Sequence, residues 1–118
     1  MTLNHINLTV SDVVAARDCL ETYFGLRTQE GAPGDDRFAI LIDDAGMVVT
    51  LMRVGQGTNV GYPPSFHIGF VQETEAQVDE MYARLTEAGF EINPPRRFHG
   101  SWTFYFRAPG GVTIEVLR

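Results

Sequence analysis

Three side chains that lie far apart in the chain suit one piece of chemistry: His5, His67 and Glu115. Neutral imidazole nitrogens and a carboxylate oxygen bind Fe(II), Mn, Ni or Zn, and three such ligands leave coordination positions open for a substrate. The spacings are long, so no local motif carries the signal. Taken singly, each residue has a plainer reading. A strand histidine is more often a surface or hydrogen-bonded structural residue than a ligand, and a glutamate on a last strand is usually solvated. What lifts the three above that level is an internal repeat that gives the two histidines equivalent places.

Residues 4–10 read NHINLTV and residues 65–71 read SFHIGFV. Each is a short alternating strand with a histidine near its start. A helical stretch follows each, over about residues 11–24 and 74–88, and stops at Gly25 or Gly89. Glycine suits the left-handed residue that ends a helix. Thr74 and Gln77 have capping-box spacing. Ala16, Cys19, Leu20 and Tyr23 fall at i, i+3, i+4 and i+7, as do Val78, Met81, Tyr82 and Leu85. Each stripe can pack on a sheet. Behind each helix come a short strand, a turn-rich loop and a strand pair. These are roughly 26–30, 37–42 and 47–54 in the first half, and 91–93, 102–107 and 112–117 in the second. The tight turns 43–46 and 108–111 sit at matching places and suit hairpins.

The expected architecture is therefore α+β, two tandem βαβββ modules. Module one covers about 1–54, a Gly-, Pro- and Asn-rich connector about 55–64, and module two about 65–118. Each half is below the size at which a core comfortably supports itself, so the halves should pack together or pair with another chain.

Strand alternation sorts the faces. Ile6, Leu8 and Val10 share one face, as do Phe66, Ile68 and Phe70, and Val112, Ile114 and Val116. These belong under the helices. His5, His67 and Glu115 fall on the opposite faces, which are either wet or line a cavity. Tyr105 alternates with Phe104 and Phe106, so it joins the polar face as a hydrogen-bond donor or as a half-buried packing residue. Arg96, Arg97 and His99 precede Trp102 in a loop, where they either bind an anionic substrate or are solvated. Trp102 is a pocket wall or, as aromatic strand residues more often are, core. Phe38, Ile40, Val48 and Met52 can make part of a cavity wall apolar. Cys19, on an apolar helix stripe, is expected to be buried and inert.

Bulk properties narrow the classes. At 118 residues, 44% hydrophobic and 20% charged, the chain is sized and balanced for one globular domain. No apolar run approaches the roughly 20 residues of a membrane helix, and no secretory leader opens the chain. A single cysteine excludes an intrachain disulfide framework and fits a reducing compartment, so a cytoplasmic location is expected. A formal net charge of −6 disfavours nucleic acid.

Several stretches together resemble the vicinal oxygen chelate superfamily, also called the glyoxalase/bleomycin-resistance/dioxygenase superfamily. They are Leu3-Asn4-His5-Ile6, Ser11-Asp12, Phe24-Gly25-Leu26, Phe66-His67-Ile68, and residues 104–115, FYFRAPGGVTIE. The resemblance spans essentially the whole chain. It implies paired βαβββ modules and a metal held by His5, His67 and Glu115. Aligning Met52-Arg53 on Leu117-Arg118 puts Thr50 at the fourth ligand position, where glyoxalase I has a glutamate; this departure argues against that activity. Fosfomycin-resistance thiol transferases and extradiol dioxygenases are members with two histidines and a glutamate. The dioxygenases usually have four modules, whereas the fosfomycin enzymes are of similar size. Tyr105 resembles a tyrosine near the fosfomycin enzymes' site, but their basic phosphonate-binding residues would lie beyond Arg118. The resemblance thus implies a divalent-metal-dependent enzyme that activates a small oxygen-chelating metabolite or antibiotic. Tyr105 and Thr50 would be the catalytic contacts, and Arg97, His99 and Trp102 would contact substrate. Its alternatives are a metal-free, bleomycin-resistance-type binding protein and a relative without a ligand. It also implies a homodimer in which His5 of one chain meets His67 and Glu115 of the other.

Overall fold

Local signals set the two helices. Asp12 caps α1 (Val13–Phe24), its carboxylate accepting from the Ala15 amide, and Gly25 ends it at φ 70°. Thr74 caps α2 (Glu75–Glu87) through a complete capping box with Gln77. Gly89 follows at φ 97°. The remaining elements in this computed structural model are strands: β1 (His5–Val10), β2 (Arg27–Thr28), β3 (Phe38–Ile42), β4 (Val48–Arg53), β5 (Ile68–Val71), β6 (Arg96–Phe98), β7 (Ser101–Arg107) and β8 (Thr113–Leu117). The structure describes residues 1–32, 35–55 and 59–118, so part of the expected connector lies outside the described residues.

The order β-α-β-β-β occurs twice, as expected, and makes two four-stranded mixed sheets, each with one helix. Their strand orders correspond, β1-β4-β3-β2 and β5-β8-β7-β6. In each, the first strand runs parallel to the last, and the other neighbours are antiparallel. The parallel pair requires a long crossover, which the helix and the middle strands supply.

Two details differ from the sequence reading. Residues 91–93, expected as a strand, are irregular, and the strand lies at Arg96–Phe98. Pro94 and Pro95 cannot donate to a ladder, so pairing begins behind them. His67 falls just before β5 rather than within it.

The chain divides into two compact units, Met1–Tyr62 with Pro109–Val112, and Pro63–Ala108 with Thr113–Arg118. In the first, Leu8, Val10, Leu41 and Leu51 from the sheet and Val13, Ala16 and Leu20 from α1 are buried. Tyr62 closes the open edge of β1: its hydroxyl accepts from the Thr9 amide and donates to the Thr9 carbonyl, both at 2.9 Å. This unit also includes the turn between β7 and β8, where the Ser11 amide donates to the Gly110 carbonyl at 3.0 Å. In the second unit, Val78, Met81 and Leu85 of α2 are buried, as are Phe104, Phe106, Ile114 and Val116 of the sheet.

Cys19 is buried on α1, and its burial pushes the thiol up to about 11. At pH 8 about one thiol in a thousand is then the reactive thiolate. Iodoacetamide is expected to label the native protein at least about tenfold more slowly than the denatured protein. Equal rates would show that Cys19 is accessible.

Candidate functional site

Ladder register makes the internal repeat explicit. Glu115 of β8 lies opposite Gly69 and Tyr105, and Thr50 of β4 lies opposite Asn7 and Ile40. Gly69 follows His67 by two residues, as Asn7 follows His5. Thr50 is therefore the counterpart of Glu115, Ile40 of Tyr105 and, one ladder step on, Phe38 of Thr103. The same backbone position carries a polar group in one sheet and an apolar or neutral one in the other.

In the second unit the polar face has a defined geometry. Nδ1 of His67 lies 3.0 Å from the Ser65 carbonyl oxygen. A carbonyl only accepts, so Nδ1 donates, and in the neutral ring Nε2 keeps its lone pair. That nitrogen lies 3.2 Å from Oε2 of Glu115. Oε1 of Glu115 is 2.9 Å from the Thr103 hydroxyl, whose single proton is shared with the Val116 carbonyl at the same distance. Glu115 is only 9% exposed, yet its side-chain partners are Thr103, His67 and Tyr105, with no Lys or Arg among them. A buried carboxylate needs a positive neighbour to offset lost hydration. A cation held jointly by Nε2 and Oε2 would supply such a charge.

The separation is that of a hydrogen bond, and it is also compatible with two ligands of one ion. Nitrogen and oxygen ligands about 2.1 Å from one ion stand about 3.0 Å apart at a right angle and about 3.4 Å apart at the tetrahedral angle. The Nδ1 bond to a backbone carbonyl is also the usual way in which a ligating histidine is oriented. Within either unit the described residues gather no set of three His, Cys, Asp or Glu.

Tyr105 completes the group. Its ring stands edge-on to His67 at 5.3 Å between centroids and an interplanar angle of 89°. Burial first, then the hydrogen bond and charge of Glu115, push its hydroxyl up to about 12. It therefore stays protonated near neutrality and can donate a hydrogen bond. A cavity of about 480 Å³ opens beside it, lined by Asn93, Pro94, Arg96, Thr103, Phe104 and Tyr105.

Two expected substrate contacts, Arg97 and Trp102, lie on the opposite face of the sheet. Arg97 pairs across the ladder with Trp102 on the α2 side of the sheet. There Arg97 meets Glu75 at 2.7 Å, and the Trp102 indole donates to Asp79 at 2.8 Å. His99 forms the turn between β6 and β7 at φ 49°, its ring centroid 3.9 Å from that of Phe98. The residues that join Glu115 and Tyr105 on this face include Thr103, which the sequence reading does not single out, and Arg96, which it names with Arg97 and His99 as either an anion contact or a solvated loop residue. The signal for both was His99-Gly100, two positive-φ residues that close a two-residue hairpin and put Arg96 opposite Thr103.

In the first unit, His5 is exposed, with Nδ1 2.7 Å from the Asn4 side-chain oxygen, which leaves Nε2 available. The Thr50 hydroxyl donates to Asn7 Oδ1 at 2.6 Å. Around Thr50 the His5 face carries Phe38, Ile40 and Val48, all half-buried, and exposed Met52.

The repeated βαβββ fold has a known class, and the chain belongs to the Glyoxalase/Bleomycin resistance protein/Dioxygenase superfamily, whose family model matches residues 2–116. It is similar to a possible glyoxalase from Bacillus cereus, at 51% identity and a TM-score of 0.89, over 100% of this chain and 99% of that one. An uncharacterised protein of Pseudomonas aeruginosa is 29% identical over 97% of this chain and 86% of its own length. The fold is shared with the fosfomycin resistance protein FosX of Listeria monocytogenes, solved with Mn(II) and sulfate. That match has 22% identity and a TM-score of 0.76, over 98% of this chain and 90% of that one. No helix among the described residues is long and apolar enough to cross a membrane.

Proposed function

We propose that this chain is a divalent-metal-dependent enzyme acting on a small molecule with adjacent chelating oxygens. His67 and Glu115 of one chain and His5 of a partner chain would hold Fe, Mn, Ni or Zn in a homodimer. The observation that carries this reading is the meeting of two electron-pair donors, His67 Nε2 and Glu115 Oε2, at 3.2 Å around a buried carboxylate. A bound metal supplies Lewis-acid polarisation of substrate oxygens. The chain's own side chains do the rest. The Ser65 carbonyl keeps the His67 proton on Nδ1. Thr103 holds one oxygen of Glu115 and leaves the other facing His67. Tyr105, whose hydroxyl hydrogen-bonds Glu115 here, would turn its one proton toward a substrate oxygen that gains negative charge. Thr50, uncharged and tied to Asn7, offers a neutral contact and no base.

The test is metal analysis of protein purified without chelators. Wild type is expected to carry one divalent metal per chain, and His67→Ala to lose it. Wild type without stoichiometric metal, together with unchanged Mn, Fe, Ni and Zn binding in His67→Ala, overturns the enzyme reading. A metal-free small-molecule binding protein would then remain.

A further inference from the structure

The basic residues of this acidic chain are all arginines, and most have a carboxylate at hand. Arg17, Arg27, Arg37, Arg53 and Arg97 each have one within salt-bridge distance. Arg96 has none among the described residues, although the chain has 15 acidic side chains against 9 basic ones. Its guanidinium carbon instead lies 4.5 Å from the centre of the Phe98 ring. Stacking on an aromatic face holds a guanidinium in place and leaves its in-plane donors free. Arg96 pairs across the ladder with Thr103, the residue that holds Glu115, and lines the same cavity as Tyr105. Its neighbour Arg97 is the built-in contrast, turned to the other face and neutralised by Glu75 at 2.7 Å.

We propose that Arg96 is the anion-binding residue of this cleft, receiving a carboxylate or phosphate-type oxyanion of the substrate. The planar fork of a guanidinium matches two oxygens of such a group at once. This proposal rests on the site reading above, to which it adds the substrate class: a small molecule with chelating oxygens and a separate oxyanion that reaches Arg96.

The test titrates inorganic phosphate and acetate, separately, into chelator-treated protein, with binding followed by NMR of the arginine side-chain N–H groups. Wild type and Arg97→Gln are expected to bind at least one of the two anions with equal affinity. Arg96→Gln should bind it about tenfold or more weakly, with Arg96→Lys between them. Both glutamine variants remove one positive charge, so a general electrostatic effect would weaken them equally. That equality, or absence of saturable binding by wild type, overturns the proposal. The preferred anion distinguishes a carboxylate from a phosphate-type group. A parallel Mn(II) titration of wild type and Arg96→Gln reports on the metal site alone. Failure of Mn(II) to bind would sink the metal reading and leave the Arg96 result standing.

Discussion

Mixing His5→Ala with Glu115→Ala protein under conditions of subunit exchange is expected to restore metal sites that neither variant has alone. Each variant removes one ligand, and each is expected to bind metal more than about a hundredfold more weakly, since even the outer hydrogen-bond partners of ligands are worth roughly ten- to a hundredfold. If His5 of one chain serves the His67 and Glu115 of its partner, a mixed dimer has one intact site and one doubly damaged site. Random exchange of equal amounts makes half of the dimers mixed, so about one quarter of all sites return. Mn(II) binding by the mixture, set against each variant alone, reads this directly. Wholly intrachain sites would return none. The Glu115 variant is expected to stay folded, because the Thr103 hydroxyl already has a second acceptor at 2.9 Å in the Val116 carbonyl.

Gly110→Ala is expected to cost more stability than the same change at Gly25, Gly31, Gly46, Gly89 or Gly100. Gly110 has φ 91°, and a Cβ there would stand 3.0 Å from Val10 Cβ, 3.2 Å from Ala16 Cβ and 3.3 Å from the Asp12 carbonyl oxygen. Val10 is 1% exposed and cannot give way. Left-handed strain of about 1–3 kcal/mol adds to an overpacking cost of similar size. A loss of about 3–4 kcal/mol corresponds to a fall of roughly 10–20 °C in Tm for a domain of this length. Gly100→Ala separates the two causes, since Gly100 has φ 83° but open space where its Cβ would go. It should show the backbone strain alone. Equal melting temperatures for the two variants would mean that the turn has room to shift.

Much of this was legible in the residues, and the failures have a physical pattern. Period-2 alternation put Glu115 and Tyr105 on one face, and the ladder agrees. The same alternation, carried two residues back from Phe104, would have turned Trp102 toward α2. The sequence reading leaves Trp102 as either a pocket wall or core; its indole meets Asp79 and the neighbouring Arg97 meets Glu75. Reading residues 91–93 as the strand leaves Arg96 and Arg97 undistinguished, since the two prolines displace pairing to Arg96–Phe98. In a hairpin such a displacement decides which of two adjacent arginines faces which side. His67–Glu115 proximity rests on pairing between residues nearly fifty positions apart, and periodicity could suggest it only through the repeat.

The first unit's possession of residues 109–112 has a consequence for how the protein is made. During synthesis, residues 1–62 leave the ribosome without the turn that meets Val10, Asp12 and Ala16. That gap is filled only after residues 63–108 have followed. Completion of the earlier half thus waits on the later one.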